Sequence, residues 1–303
     1  MRSSGGSFAT RPVRAVAATA GLVMLLTGCS AAEPASDGEV GDRRAATQRS
    51  ASADSAGSTS AGPAGSAPRR STAAGSEREA EREATEQEDF VVVLDPGHNG
   101  RNAANLDRIE RKVPNGRGER KQCNSTGTST DDGYPEHAFN FAVAEQVRTK
   151  LTDRGVRVVL TRTDDDGVGP CVDERAAIGN RNDADAVVSI HADGSSADAS
   201  GFHVIYSDPP LNDAQRAAAP VLARDMVAGM SAAGLPTSNY IASSEGFDGR
   251  ADLAGLNLST VPAVLVECGN MRNAAEAAAM STGEGRRRYA DAIARGVLRY
   301  LDG

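Results

Sequence analysis

The chain has 303 residues, a formal net charge of −8 and no tryptophan. Its 41 acidic residues against 33 Lys and Arg leave no electrostatic footprint for nucleic acid. An aromatic content of 4% argues against an aromatic carbohydrate-binding platform.

At the N terminus Arg2, Arg11 and Arg14 precede a short apolar run, Ala15 to Leu26, which is too brief to span a bilayer as a mature helix. The run ends in Leu26-Thr27-Gly28-Cys29, the pattern of a lipoprotein signal whose cysteine takes the lipid. The competing reading is an ordinary cleaved signal with a chance cysteine. Residues 30–88 are mostly Ala, Ser, Gly, Arg and Glu. They bury too little apolar surface to offset ordering entropy, so a disordered linker is expected. A flexible chain of about 60 residues has an r.m.s. reach of about 40–45 Å, suited to a tether. Residues 89–303 then form one domain with room for a core.

Within that domain, Phe90 to Leu94 is a β-branched run, the mark of a strand buried on both faces. A long polar loop follows, from Pro96 to Pro135. Glu136 opens a helix whose Phe139, Val143, Val147 and Leu151 recur every four residues, and Gly155 stops it. Residues 156–161 read as a strand, 173–183 as a helix and 186–190 as a buried strand. Residues 202–206 read as an edge strand or hairpin, 214–233 as an Ala-rich helix, 261–266 as a final strand and 285–301 as a closing helix. Strands alternating with helices predict an α/β fold: a single domain with a mostly parallel twisted sheet covered by helices on both faces.

Ligands of such sheets bind beyond the carboxyl ends of the strands. His98 lies just past the first strand, His191 ends the 186–190 strand, Glu267 ends the last, and Glu136 begins the first helix. Two imidazoles and a carboxylate suit a catalytic zinc ion, leaving a position for water. Zinc would lower the pKa of water to about 7 and polarise a carbonyl. A carboxylate outside the ligand set, Glu267, would then move the proton. Taken singly, each residue has a plainer reading: a strand-end histidine satisfied by backbone, or Glu136 as favourable charge at a helix N-terminus. His137 rivals Glu136, being about 100° round the helix, and spacing leaves the two open. His203 alternates along the expected edge strand and is read as a non-ligand. Asp95, before Pro96-Gly97, is read as fixing the turn or supporting a ligand from behind, and Asp193 as supporting a ligand.

Of four cysteines, three follow Cys29. Cys123 and Cys171 lie in polar, Gly-rich loop sequence, and Cys268 ends an apolar strand where a free buried thiol is common. A Cys123–Cys171 disulfide is therefore expected in an oxidising compartment. Closing a loop of about 50 residues stabilises by about 4 kcal/mol in the chain-entropy model.

Five pieces in this order resemble the zinc-dependent N-acetylmuramoyl-L-alanine amidases of bacterial cell walls, the amidase-3 type. They are Val93-Leu-Asp-Pro-Gly-His98, Pro135-Glu136, Val158-Val-Leu-Thr-Arg162, Val188-Ser-Ile-His-Ala192 and Pro262-Ala-Val-Leu-Val-Glu267. The likeness runs from about Phe90 to Leu301. Gly133-Tyr-Pro-Glu-His137, Gly169-Pro-Cys-Val-Asp-Glu-Arg175 and Asp252-Leu-Ala-Gly-Leu-Asn257 narrow it to compact single-domain amidases of high-GC Gram-positive bacteria. The resemblance implies His98, Glu136 and His191 as zinc ligands, choosing Glu136 over His137, and Glu267 as the catalytic carboxylate. It implies hydrolysis of the amide between N-acetylmuramic acid and L-alanine, with peptidoglycan or muropeptides as partner; a monomer is expected. Members often have Gly-Phe after the catalytic Glu, where this chain has Cys268-Gly269. No peptidoglycan-binding repeats are visible, and a lipid tether would supply local concentration instead. The basic loop residues Arg108, Arg111, Lys112, Arg117, Arg120 and Lys121 are expected to contact an acidic stem peptide, to cover the cleft, or to form a solvated hairpin. The rival readings are a zinc carboxypeptidase or deacetylase, a catalytically inactive peptidoglycan-binding lipoprotein, and a zinc-binding solute lipoprotein.

Cells fed radiolabelled palmitate are expected to label the full chain but not Cys29→Ala, which places the protein at the outer membrane face. An unlabelled parent chain removes the anchor.

Overall fold

The computed structural model describes residues 90–241 and 245–303. Cys29 and the linker expected over 30–88 lie outside the described residues. The elements in order are β1 (Val91–Pro96), α1 (Leu106–Ile109), β2 (Lys112–Pro114), β3 (Arg120–Gln122), α2 (Glu136–Thr152), β4 (Arg157–Leu160) and α3 (Val172–Arg181). There follow β5 (Ala186–Asp193), β6 (His203–Ser207), a π-helical turn (Ala214–Ala218), α4 (Ala219–Ala232), β7 (Phe247–Arg250), α5 (Ala254–Asn257), β8 (Ala263–Asn270), α6 (Ala274–Ser281) and α7 (Gly283–Leu301).

Six strands form one sheet in the order β4-β1-β5-β8-β6-β7. Neighbours run parallel except β6 against β8. Side chains alternate along each strand, so each face of the sheet collects every second residue. Val92, Leu94, Val188, Ile190, Val264 and Val266 face the larger core, made with Phe139 and Val143 of α2, Met226 of α4 and Ile293 and Val297 of α7. Val91, Val93, Val187, Ile205 and Ala263 face a smaller core with Ile178 of α3 and Leu256 of α5. Both faces are thus covered, as expected. Phe139, Val143, Val147 and Leu151 are all fully buried, and their four-residue spacing is why α2 lies along the sheet.

Three expectations change. The strand near 202–206 is interior, because β7 pairs outside it. The segment 96–135 is no plain loop: it contains α1 and the two-stranded β2–β3 hairpin. The helix expected over 214–233 begins as a π-helical turn and becomes α-helical only around Pro220, which has no N–H to continue the earlier ladder. A helix absent from the sequence reading, α6, is capped by Asn273, whose side chain accepts from Ala275 N and Glu276 N. Cys123 and Cys171 form the expected disulfide, and Cys268 is free and buried.

Helices α4 and α7 cross at paired glycines. A Cβ on Gly229 would stand 2.6 Å from Gly296 N and from Ala292 O, and one on Gly296 2.8 Å from Met226 Cα. Gly229→Val is therefore expected to wedge the helices apart, costing about 1–3 kcal/mol. Thermal unfolding should fall by about 2–12 °C for a domain of this size. An unchanged melting temperature contradicts so close a crossing.

Candidate metal centre

The alternation that builds the core also assembles the site. Asp95, Ser189, His191, His203 and Glu267 occupy the positions of β1, β5, β6 and β8 that share the face of Val93, Val187 and Ile205. His191 pairs with Glu267 on one side, and Glu267 with His203 on the other. His191 and Glu267 do not end their strands: β5 and β8 continue to Asp193 and Asn270 through a register shift.

His98 leaves β1 in a left-handed backbone conformation, φ 59°. For a non-glycine residue this costs about 1–3 kcal/mol, which the surroundings must hold in place. Its Nδ1–H donates to Ser125 O at 3.0 Å, which turns Nε2 toward Glu136 Oε1 at 3.1 Å. His191 Nδ1 lies 2.9 Å from the same oxygen. The two imidazoles meet edge to face, 4.8 Å between centroids. Glu136 is the first residue of α2, and Thr128 N donates to its other oxygen at 2.9 Å. Asn140, one turn on, donates to Oε1 at 3.2 Å.

His98, Glu136 and His191 thus offer three donor atoms within 4.8 Å of one another. The set contains two imidazole nitrogens, one carboxylate and no sulfur, and it fits zinc held for catalysis rather than for structure. Burial pushes the Glu136 carboxyl up, but the two histidines outweigh it and hold the group well below the usual carboxylate range. Burial pushes His98 down, and Glu136 outweighs it, leaving the imidazole raised. A divalent cation at this point would favour the carboxylate by the same logic and would keep the imidazoles neutral.

Glu267 has the opposite character. Burial, then the negative charges of Glu136 and Asp193, push its carboxyl well above the usual range, against the pull of Arg250. Its Oε2 is buried without a hydrogen-bond partner, as is Nδ1 of the paired His203. Burial lowers the His203 pKa.

His137, the rival ligand, is turned away: its Nδ1 meets Asp165 Oδ2 at 2.7 Å. Asp95 accepts from Thr161, Ser189 and Arg175. Burial raises its pKa, but Arg175 and these bonds lower it further, to about 2. Its stabilising contribution is therefore complete above the ordinary 3.8 and is lost as pH falls through about 2. Asp193 accepts from the Tyr240 hydroxyl at 3.0 Å and supports that side chain. Tyr240 gave no signal in the sequence. Two glycines make room for the site's side chains by absence of bulk. A Cβ on Gly97 would stand 2.2 Å from His191 Cε1, and one on Gly127 2.8 Å from Glu136 Oε2.

A cavity of about 340 Å³ adjoins His98 and His191 on the smaller-core face. Asp95, Arg175 and Ser189 line it, Lys121 and Gln122 of the hairpin border it, and Leu253 to Leu256 close the far side. Among the basic loop residues, Arg117 points elsewhere: it donates to Asn257 Oδ1 at 3.2 Å, to Ser207 Oγ at 3.1 Å and to Pro209 O. Arg108, Arg111, Lys112 and Arg120 are exposed.

A mostly parallel α/β sheet with a His–Glu–His donor set at its carboxyl edge defines a candidate metallohydrolase. Residues 92–299 match the amidase-3 family, described as N-acetylmuramoyl-L-alanine amidase, and the chain belongs to that family. It is 50% identical over 212 residues to an N-acetylmuramoyl-L-alanine amidase of Mycobacterium tuberculosis, covering 70% of this chain and 86% of that protein. The crystal structure of the amidase Ami1 from Mycobacterium smegmatis superposes with a TM-score of 0.68 at 50% identity, over 70% of this chain and 97% of the other. The amidase AmiC2 of Nostoc punctiforme gives 0.53 at 26% identity, over 71% and 98%. The mycobacterial matches agree with the expected likeness to amidases of high-GC Gram-positive bacteria.

Gly97→Ala is expected to drive the His191 ring from its place and to weaken zinc binding by about 10–100-fold, as loss of support around a ligand does. Competition against a chromophoric chelator measures it. Parent-like affinity means His191 is not seated on Gly97.

Proposed function

We propose that the chain hydrolyses the amide between the lactyl group of N-acetylmuramic acid and L-alanine in peptidoglycan, with zinc held by His98, Glu136 and His191. The observation that carries this reading is the meeting of three donor atoms beside a fourth, uncommitted carboxylate on the neighbouring strand. Family membership supports the bond and the substrate class.

When bound, zinc would supply a Lewis acid for the scissile carbonyl and lower the pKa of the attacking water. The rest falls to the chain's own side chains. Glu267 accepts the proton of that water as the C–O bond forms. The same carboxyl then gives the proton to the L-alanine nitrogen as the C–N bond breaks. A carboxyl raised by burial and neighbouring negative charge suits a group that must both take and release a proton. The free Oε2 leaves it unencumbered. Asp95 and Ser189 lie on the same face behind His191, and the adjoining cavity offers space for a substrate group flanking the bond.

The chain is read as a monomer acting outside the cytoplasm, anchored at the outer face of the membrane by lipid on Cys29. The linker of 30–88 would let the catalytic domain reach the wall. Among the described residues no helix is long and apolar enough to cross a membrane. An inactive peptidoglycan-binding lipoprotein is the second reading, and the completeness of the four-residue set speaks against it.

The test is mass spectrometry of muropeptides after digestion. The zinc-loaded chain should release stem peptides with a free L-alanine amine and leave the muramic lactyl carboxylate intact. Chelator should stop the reaction. Glu267→Ala should lose about 10²–10⁴ in turnover while still binding zinc. Release of D-alanine or acetate instead would reassign the bond, and no cleavage by the loaded parent sinks the proposal.

A further inference from the structure

Two buried arginines belong to motifs that the proposed chemistry leaves without a role: Arg162 and Arg175. We propose that they are positioning residues for His98, fixing its left-handed backbone so that its imidazole points into the metal centre. The inference rests on the reading of His98 as a ligand.

The carbonyls of three consecutive residues, Pro96, Gly97 and His98, are all taken by guanidinium N–H groups. Arg175 Nη1 donates to Pro96 O at 2.7 Å and Nη2 to His98 O at 2.8 Å. Arg162 Nε donates to Pro96 O at 2.9 Å and Nη2 to Gly97 O at 3.2 Å. Arg162 Nη2 also donates to His137 O at 2.9 Å. It thereby ties the exit of β1, which carries His98, to the first turn of α2, which carries Glu136. Both side chains are almost wholly buried, at 4% and 3% exposure. Each keeps one carboxylate: Asp165 for Arg162 and Asp95 for Arg175.

The backbone of His98 is held from one side and its ring from another, and the two holds are covalently joined. Arg175 lies in the first turn of α3, four residues after Cys171, and Arg175 N donates to Cys171 O. Cys171 is bonded to Cys123, two residues before Ser125, whose carbonyl takes the His98 ring proton. Arg175, the disulfide and Ser125 thus close a ring around His98. A residue with φ 59° lies in a region that side-chain-bearing residues seldom occupy, so something must hold it. A planar fork of donors reaches several carbonyls and a carboxylate at once, while the ammonium of lysine is a single point on a flexible stem.

The test is zinc affinity, by competition with a chromophoric chelator, beside thermal unfolding of the metal-free chain. The variants are Arg175→Lys, Arg162→Lys and the double Asp95→Asn with Arg175→Gln, with His98→Ala as benchmark. The double variant removes the guanidinium without leaving a buried charge unpaired. Expected is a folded chain whose zinc affinity falls about 10–100-fold in the Arg175 variants and in Arg162→Lys. The positive charge kept in Arg175→Lys should not preserve the affinity. A merely structural arginine would lower the melting temperature and leave affinity unchanged. If the parent binds zinc, His98→Ala does not, and the folded arginine variants bind like the parent, the inference is overturned while the metal site stands. A parent that takes up no zinc overturns the metal-site reading and this inference with it.

Discussion

One carboxylate oxygen, Glu136 Oε1, stands 3.1 Å from one imidazole nitrogen and 2.9 Å from another. Three unrelated stretches of chain must end at that point for this to occur. Strand β1 must deliver His98, β5 must deliver His191, and α2 must begin there with Glu136. Parallel pairing of β1 with β5 brings the two strands out of the sheet at the same edge. The larger core lays α2 across them, with its N-terminus at that edge. The sheet's alternation then dictates everything beside it: Asp95, His191 and Glu267 share a face because each is an even number of residues from a buried neighbour.

The two faces of the sheet perform different tasks. The larger core carries the three long helices and most of the buried apolar surface. The smaller one, under α3 and α5, is thinner and contains the cavity. A site of polar groups in poor solvent exposure needs rigid support, and that support is itself polar. Arg162 and Arg175 are buried and Asp95 is half-buried, with most of their hydrogen-bonding atoms engaged, so their desolvation is compensated by directed bonds. Glu267 is the exception, left without a partner on one oxygen, and its shifted pKa follows from that isolation.

Much of this was legible in the amino-acid order. The β-branched runs of β1, β5 and β8 and the four-residue stripe of α2 announce themselves through period alone, and the two histidines and two glutamates flank those apolar runs. The disulfide followed from the contrast between loop and strand cysteines. Other features were hidden for physical reasons. Strand β7, Phe247-Asp-Gly-Arg250, has one apolar residue and is held by pairing with β6 rather than by burial, so no hydrophobic pattern marks it. Asn273, three residues before Glu276, was a readable helix cap that went unread. The arginine holds could not be seen at all. Arg162 and Arg175 meet Pro96 O across 66 and 79 residues, and an arginine's sequence neighbours say nothing of which distant carbonyl it will serve.

The disulfide has a topological consequence. Its two cysteines, 48 residues apart, both precede His191 and Glu267 in the chain. The bond therefore encloses a segment that contains α2, β4 and Glu136, and it braces His98 just upstream. None of the last four strands is inside the loop. The site is divided along the chain into an N-terminal half that contains the cross-link and a C-terminal half, bearing His191 and Glu267, that lies outside it and meets it through strand pairing, helix packing and side-chain contacts. Breaking the peptide chain between α3 and β5 would thus leave the braced half intact as one connected piece. The remainder would be attached through the β1–β5 ladder, the helix packing and side-chain bonds such as Ser189 to Asp95 and Arg117 to Asn257.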